Sequence, residues 1–60
     1  MSVTERIIET VELGRKLGLS DDRIDQMLYA LKCSRVMHIA DTIVVYYLDE
    51  GEEYFIVIAL

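Results

Sequence analysis

Apolar residues recur through the first half of the chain at helical spacing and fill much of the second half without a period. In the first stretch Val3, Ile7, Val11, Gly14 and Gly18 share one helical face, with Ile8 and Leu17 at its margins and Glu5, Glu9, Glu12 and Lys16 opposite. This predicts an amphipathic helix over 3–17. Ser2 and Glu5 form an S-x-x-E capping box at its start, Gly18 is a natural stop, and Lys16 suits the negative end of the helix. Gly14 costs a helix interior up to about 1 kcal/mol relative to Ala. Its place on the apolar face predicts that another element approaches closely there.

Ile24, Met27, Leu28 and Leu31 repeat the i, i+3, i+4, i+7 stripe and predict a second helix over 20–32. Ser20 caps it, Asp21 and Asp22 suit its positive N-terminal end, and Leu19 and Ile24 have the spacing of a hydrophobic staple.

From Val36 the pattern changes. Nine of the last 25 residues are β-branched, and "TIVVYYL" and "EYFIVIAL" read as two strands over the region 36–60. Asp49-Glu50-Gly51-Glu52 between them supplies a hairpin turn, with Gly51 free to take positive φ. "RVMHI" reads either as a third short strand or as an early part of the first strand kinked near Asp41. Alternation sets Ile43, Val45 and Tyr47 against Val44, Tyr46 and Leu48 on the first strand. On the second it sets Tyr54, Ile56, Ile58 and Leu60 against Phe55, Val57 and Ala59. Both faces are apolar, so both call for cover. Two short helices cover one. The other needs a second subunit or a partner, and a homodimer is expected. The pattern does not assign the helices to one face, so the interface candidates come from both: Val44, Val45, Tyr46, Tyr47, Tyr54, Ile56, Val57 and Ile58. The fold class is therefore α+β: two N-terminal helices, then an antiparallel β-hairpin, in a single domain spanning 1–60.

Charge sharpens this picture. The net charge of −5 over 60 residues is unevenly placed. Residues 1–35 hold six acids and six bases, whereas residues 36–60 hold five acids and no base. Four of those acids, Asp49, Glu50, Glu52 and Glu53, crowd the hairpin tip. A localised acidic patch repels nucleic acid and anionic membrane and attracts basic surfaces. These four residues are the candidate site for a second protein with a basic surface; the alternative is a charged guard against strand-to-strand aggregation.

Residues 10–29 resemble a helix-turn-helix. Leu13 and Gly14 match its apolar-then-small pair, Leu17-Gly18-Leu19 its corner, and Ile24 and Met27 the apolar positions of its second helix. A hairpin following directly is similar to a winged-helix domain. That resemblance implies a DNA reader, with the second helix in the major groove and basic residues on the wing. The pattern departs from it in two ways. There is room for two helices rather than three. The groove-facing positions would be Ser20, Asp21, Asp22, Asp25, Gln26 and Tyr29, and the wing tip carries four carboxylates. Arg23, Lys32 and Arg35 are the bases near the second helix. Phosphate contacts need Lys and Arg, so binding to duplex DNA is not expected.

Single-residue chemistry adds little. Cys33 and His38 are the sole cysteine and histidine. A nucleophile–base pair would need an orienting third group and an oxyanion hole that no motif supplies, so Cys33 reads as a small buried residue and no enzyme is expected. One cysteine allows no internal disulfide and suits a reducing compartment. The spacing of "DEGEE" is not that of a calcium loop, no glycine-rich phosphate loop occurs, and no cofactor or metal is expected. "MSVTERIIET" mixes acids with bases and lacks the apolar run of a secretory signal, and no apolar stretch reaches membrane-spanning length. The expectation is a small cytoplasmic, non-enzymatic regulatory or adaptor protein that works by protein–protein interaction, its acids able to mimic DNA. The alternative is a winged-helix-type transcriptional regulator.

Overall fold

The computed structural model describes residues 2–59, which form two helices followed by a three-stranded antiparallel sheet. The class is α+β. Helix α1 spans Val3–Lys16. Ser2 precedes it in extended conformation, and its Oγ accepts a hydrogen bond from the Glu5 N–H at 3.2 Å. Ile7, Val11 and Gly14 form its buried stripe. The helix ends in a Schellman motif. Gly18 takes φ 71°, its N–H donates to the Arg15 carbonyl at 3.1 Å, and the Leu19 N–H donates to the Gly14 carbonyl at 3.0 Å.

Helix α2 spans Asp21–Ala30 and buries Ile24 and Leu28. Ser20 caps it, accepting from the Arg23 N–H at 3.3 Å. It stops short of the expected end at residue 32, because Lys32 turns into the left-handed region at φ 65° and directs the chain into a strand. The helices touch where the apolar faces meet. A Cβ built on Gly14 would lie 2.6 Å from Cγ1 of Ile24, closer than two carbon atoms can pack. Glycine therefore sets the distance between α1 and α2.

"RVMHI" belongs to a separate strand. β1 (Cys33–Ile39) pairs with β2 (Thr42–Asp49), which pairs with β3 (Glu52–Ala59), in the order β1-β2-β3. The expected hairpin is thus a three-stranded meander. The β1–β2 turn has two residues, Ala40 and Asp41, with Ala40 at φ 53°, and the Thr42 hydroxyl donates to the Ile39 carbonyl at 2.6 Å. The β2–β3 turn is Glu50-Gly51 with φ 53° and 82°, both positive as a type I′ turn requires. Leu60, which the sequence assigns to the second strand, lies outside the described residues.

β1 carries a bulge. Cys33 opposes Tyr47 while Arg35 opposes Tyr46, leaving Ser34 as the extra residue, with its hydroxyl on the Tyr46 carbonyl at 3.2 Å. The bulge returns Cys33 to the side of the sheet that the helices cover. That side brings Cys33, Ile43, Val45, Tyr47 and Ile58 against Ile7, Val11, Ile24 and Leu28 as one core. Tyr47 and Thr4 share a hydrogen bond through their hydroxyls at 2.6 Å, tying β2 to the first turn of α1. Neither helix is long and apolar enough to cross a membrane.

Candidate interaction surface

The register fixes which side chains share the uncovered face. Arg35, Tyr46 and Phe55 form one row across the three strands; Met37, Val44 and Val57 form the next, and Ile39, Thr42 and Ala59 the last. Towards the hairpin tip the same face continues with Leu48 and Glu53. Phe55 is 62% exposed, Val57 57% and Ile39 54%, large values for apolar residues in strands. The Arg35 guanidinium lies 5.7 Å from the Tyr46 ring centre, and the Tyr46 ring in turn lies 5.7 Å from Phe55 at 36°. Cation–π contact and tilted aromatic packing thus align this row in advance.

The eight strand residues named from the sequence divide between the two sides. Val44, Tyr46 and Val57 lie on the open face. Val45, Tyr47 and Ile58 sit in the chain's own core under the helices, and Ile56 packs against it. Tyr54 stands at the end of the covered face, its ring stacked on Tyr47 at 5.8 Å. Phe55, Met37 and Ile39 escaped the sequence-based set. Phe55 shares the parity of Val57, which is the signal that would have included it.

The acidic tip is fully displayed. Asp49, Glu50, Glu52 and Glu53 are all exposed. Asp49 lies directly opposite Glu52 across the turn. The Tyr54 hydroxyl donates to Glu52 Oε2 at 2.8 Å, and this bond holds the Tyr54 pKa above its ordinary value. Among the described residues, none of the ion pairs involves the tip.

The carboxylates of α2 behave differently. Asp21 lies 3.3 Å from the Arg15 guanidinium of α1 and 3.7 Å from Nδ1 of His38 on β1. Asp25 accepts a 2.8 Å hydrogen bond from His38 Nε2. The sequence offered no partner for Asp25. The i, i+4 spacing of Asp21 and Asp25 on one helix face is the one trace of this arrangement it carries. The cluster joins α1, α2 and β1. It also occupies the His38 ring, so His38 is engaged away from Cys33, whose thiol is buried and pushed up in pKa by that burial. No group of His, Cys, Asp and Glu among the described residues is placed to hold a metal ion.

No protein-family model, curated protein or solved structure matches the chain. The helix-then-sheet order is compatible with winged-helix-like packing, and no family is identified by it.

Proposed function

We propose that this chain is a small, non-enzymatic interaction module that presents its acidic hairpin tip to a basic surface of a second protein. The observation that carries this reading is the unequal treatment of its acids. Asp21 and Asp25 are consumed by the fold through Arg15 and His38. The tip acids project from the end of the sheet with no base paired to them among the described residues. Such a patch steers a basic partner during encounter and keeps nucleic acid away. A basic nucleic-acid-binding protein meets the same chemistry here as on a phosphate backbone.

The test compares the wild type with the triple variant Asp49→Asn, Glu50→Gln, Glu52→Gln, which keeps the turn and leaves Glu53 on the open face. Proteins captured from lysate by the wild type should be released from the variant, and their association with the wild type should slow as salt rises. Identical capture by both would overturn the reading. Micromolar binding of random duplex DNA with a steep salt dependence would replace it with the winged-helix regulator.

A further inference from the structure

We infer that the open sheet face is the docking site for a second copy of this chain, stacked face to face, with a two-fold axis running between the sheets parallel to the strands. It draws on the open face rather than on the hairpin tip, and the two share only Glu53, which the tip variant above leaves unchanged. Seven of the nine residues in its three rows are apolar or aromatic, the exceptions being Arg35 and Thr42, and Phe55, Val57 and Ile39 are more than half exposed. Three strands of seven or eight residues make a surface of roughly 25 Å by 14 Å. Two such surfaces stacked remove on the order of 1,000 Å² from water, the low end of specific interfaces. An interface of that size fits a weak, reversible dimer.

Charge selects the axis. The open face carries one base, Arg35, on edge strand β1, and one acid, Glu53, on edge strand β3, one row nearer the tip. A two-fold axis along the strands exchanges the edges, so that β1 of one copy lies over β3 of the other. Arg35 of each copy then meets Glu53 of the second copy, twice per dimer. The offset of about 7 Å along the strand is within reach of an arginine side chain. An axis across the strands would set Arg35 over the Ile39 end and Glu53 over the Ala59 end, burying each charge against apolar groups without a partner. Pairing two β3 edges into one wider sheet would leave the whole apolar face in water.

Analytical ultracentrifugation tests this. The wild type should show a reversible monomer–dimer equilibrium in the micromolar range. Val57→Asp, at an exposed position that does not touch the core, should be monomeric at about 500 μM with an unchanged far-UV circular dichroism spectrum. Arg35→Glu and Glu53→Arg should each weaken dimerisation at least about tenfold, because each places like charges face to face twice. Mixing the two single variants should recover a heterodimer within about threefold of wild-type affinity, since one chain then carries two acids at these positions and the other two bases. A charge pair formed within one chain would give no such recovery. A wild type that stays monomeric at about 500 μM, a dimer that survives Val57→Asp, or a mixture no tighter than its components would each overturn the inference.

Discussion

Gly14→Ala sets two opposing effects against each other at one atom. Alanine favours a helix interior over glycine by about 1 kcal/mol, and Gly14 lies within the helix running Val3–Lys16, so the gain is available. The added methyl meets Ile24 Cγ1 at 2.6 Å and Cδ1 at 3.1 Å. Carbon atoms pack best near 3.5–4.0 Å. Cγ1 is close to the backbone and Ile24 is fully buried, so the conflict is relieved only by moving α2 or forcing a rotamer. Overpacking of this kind costs about 1–3 kcal/mol. The expected net result is a loss of about 1 kcal/mol, or about 1 M in urea midpoint at the slope usual for small domains. Ile24→Ala removes the obstructing atoms and costs about 2–5 kcal/mol on its own by leaving a cavity. In that background Gly14→Ala should reverse sign and stabilise by about 1 kcal/mol, because the helix gain remains and the clash is gone. Urea unfolding of all four proteins at one fixed concentration, followed by circular dichroism, closes the cycle. A stabilising Gly14→Ala in the wild type, or additive effects in the double variant, would refute the claim that this glycine sets the helix separation.

Other positions give simpler expectations. Glu50 holds φ 53° at the first position of a type I′ turn, so Glu50→Asn should raise stability by about 0.5–1 kcal/mol in urea unfolding. Ser20→Ala removes the acceptor for the Arg23 N–H and should cost about 1 kcal/mol. Burial raises the Cys33 thiol above its ordinary value of 9.0. The neutral thiol is therefore the favoured folded form, and its contribution is complete below that value and lost as pH rises through the folded pKa. Denaturation midpoints should accordingly decline in the alkaline range for the wild type relative to Cys33→Ala, and the native thiol should react with a disulfide reagent far more slowly than the urea-unfolded one.

The helices were legible because their signals are local. Ser2, Ser20 and Gly18 each do in the structure what their position in the pattern predicts, since a cap needs only its own turn. The sheet was legible in part. Parity along β2 and β3 correctly sorted Val44 with Tyr46 and Val45 with Tyr47, but equal apolarity on both faces hid which one the helices cover. β1 was obscured for a different reason. Cys33 and Arg35 have the same parity, yet the bulge at Ser34 sends them to opposite faces. The turn between β1 and β2 uses Ala40 at positive φ, where glycine or asparagine would have announced it, whereas Gly51 did announce the turn between β2 and β3. The His38–Asp25 bond spans 13 residues and exists only once α2 is laid along β1, so spacing in the sequence carries almost nothing of it.

The acidic tip concentrates features that work against the local fold, and this tension can be measured. Asp49 and Glu52 are cross-strand partners flanking the turn, and like charges directly opposite each other destabilise a sheet. Glu50 between them sits in the left-handed region. A turn selected only for stability would carry Asn-Gly between opposite charges or neutral residues. Asp49→Lys converts the repulsive pair with Glu52 into an attractive one and leaves the Tyr54–Glu52 bond in place. It should therefore stabilise the hairpin by roughly 0.2–1 kcal/mol. If the acids are retained for binding, the same substitution should weaken capture of a basic partner, because it reverses the sign of one charge at the tip. Opposite signs for stability and association in one variant would be the signature of a site kept for its interaction. An Asp49→Lys protein that unfolds at lower urea than the wild type would show that the tip acids are not opposed to the fold and would remove this argument for their role.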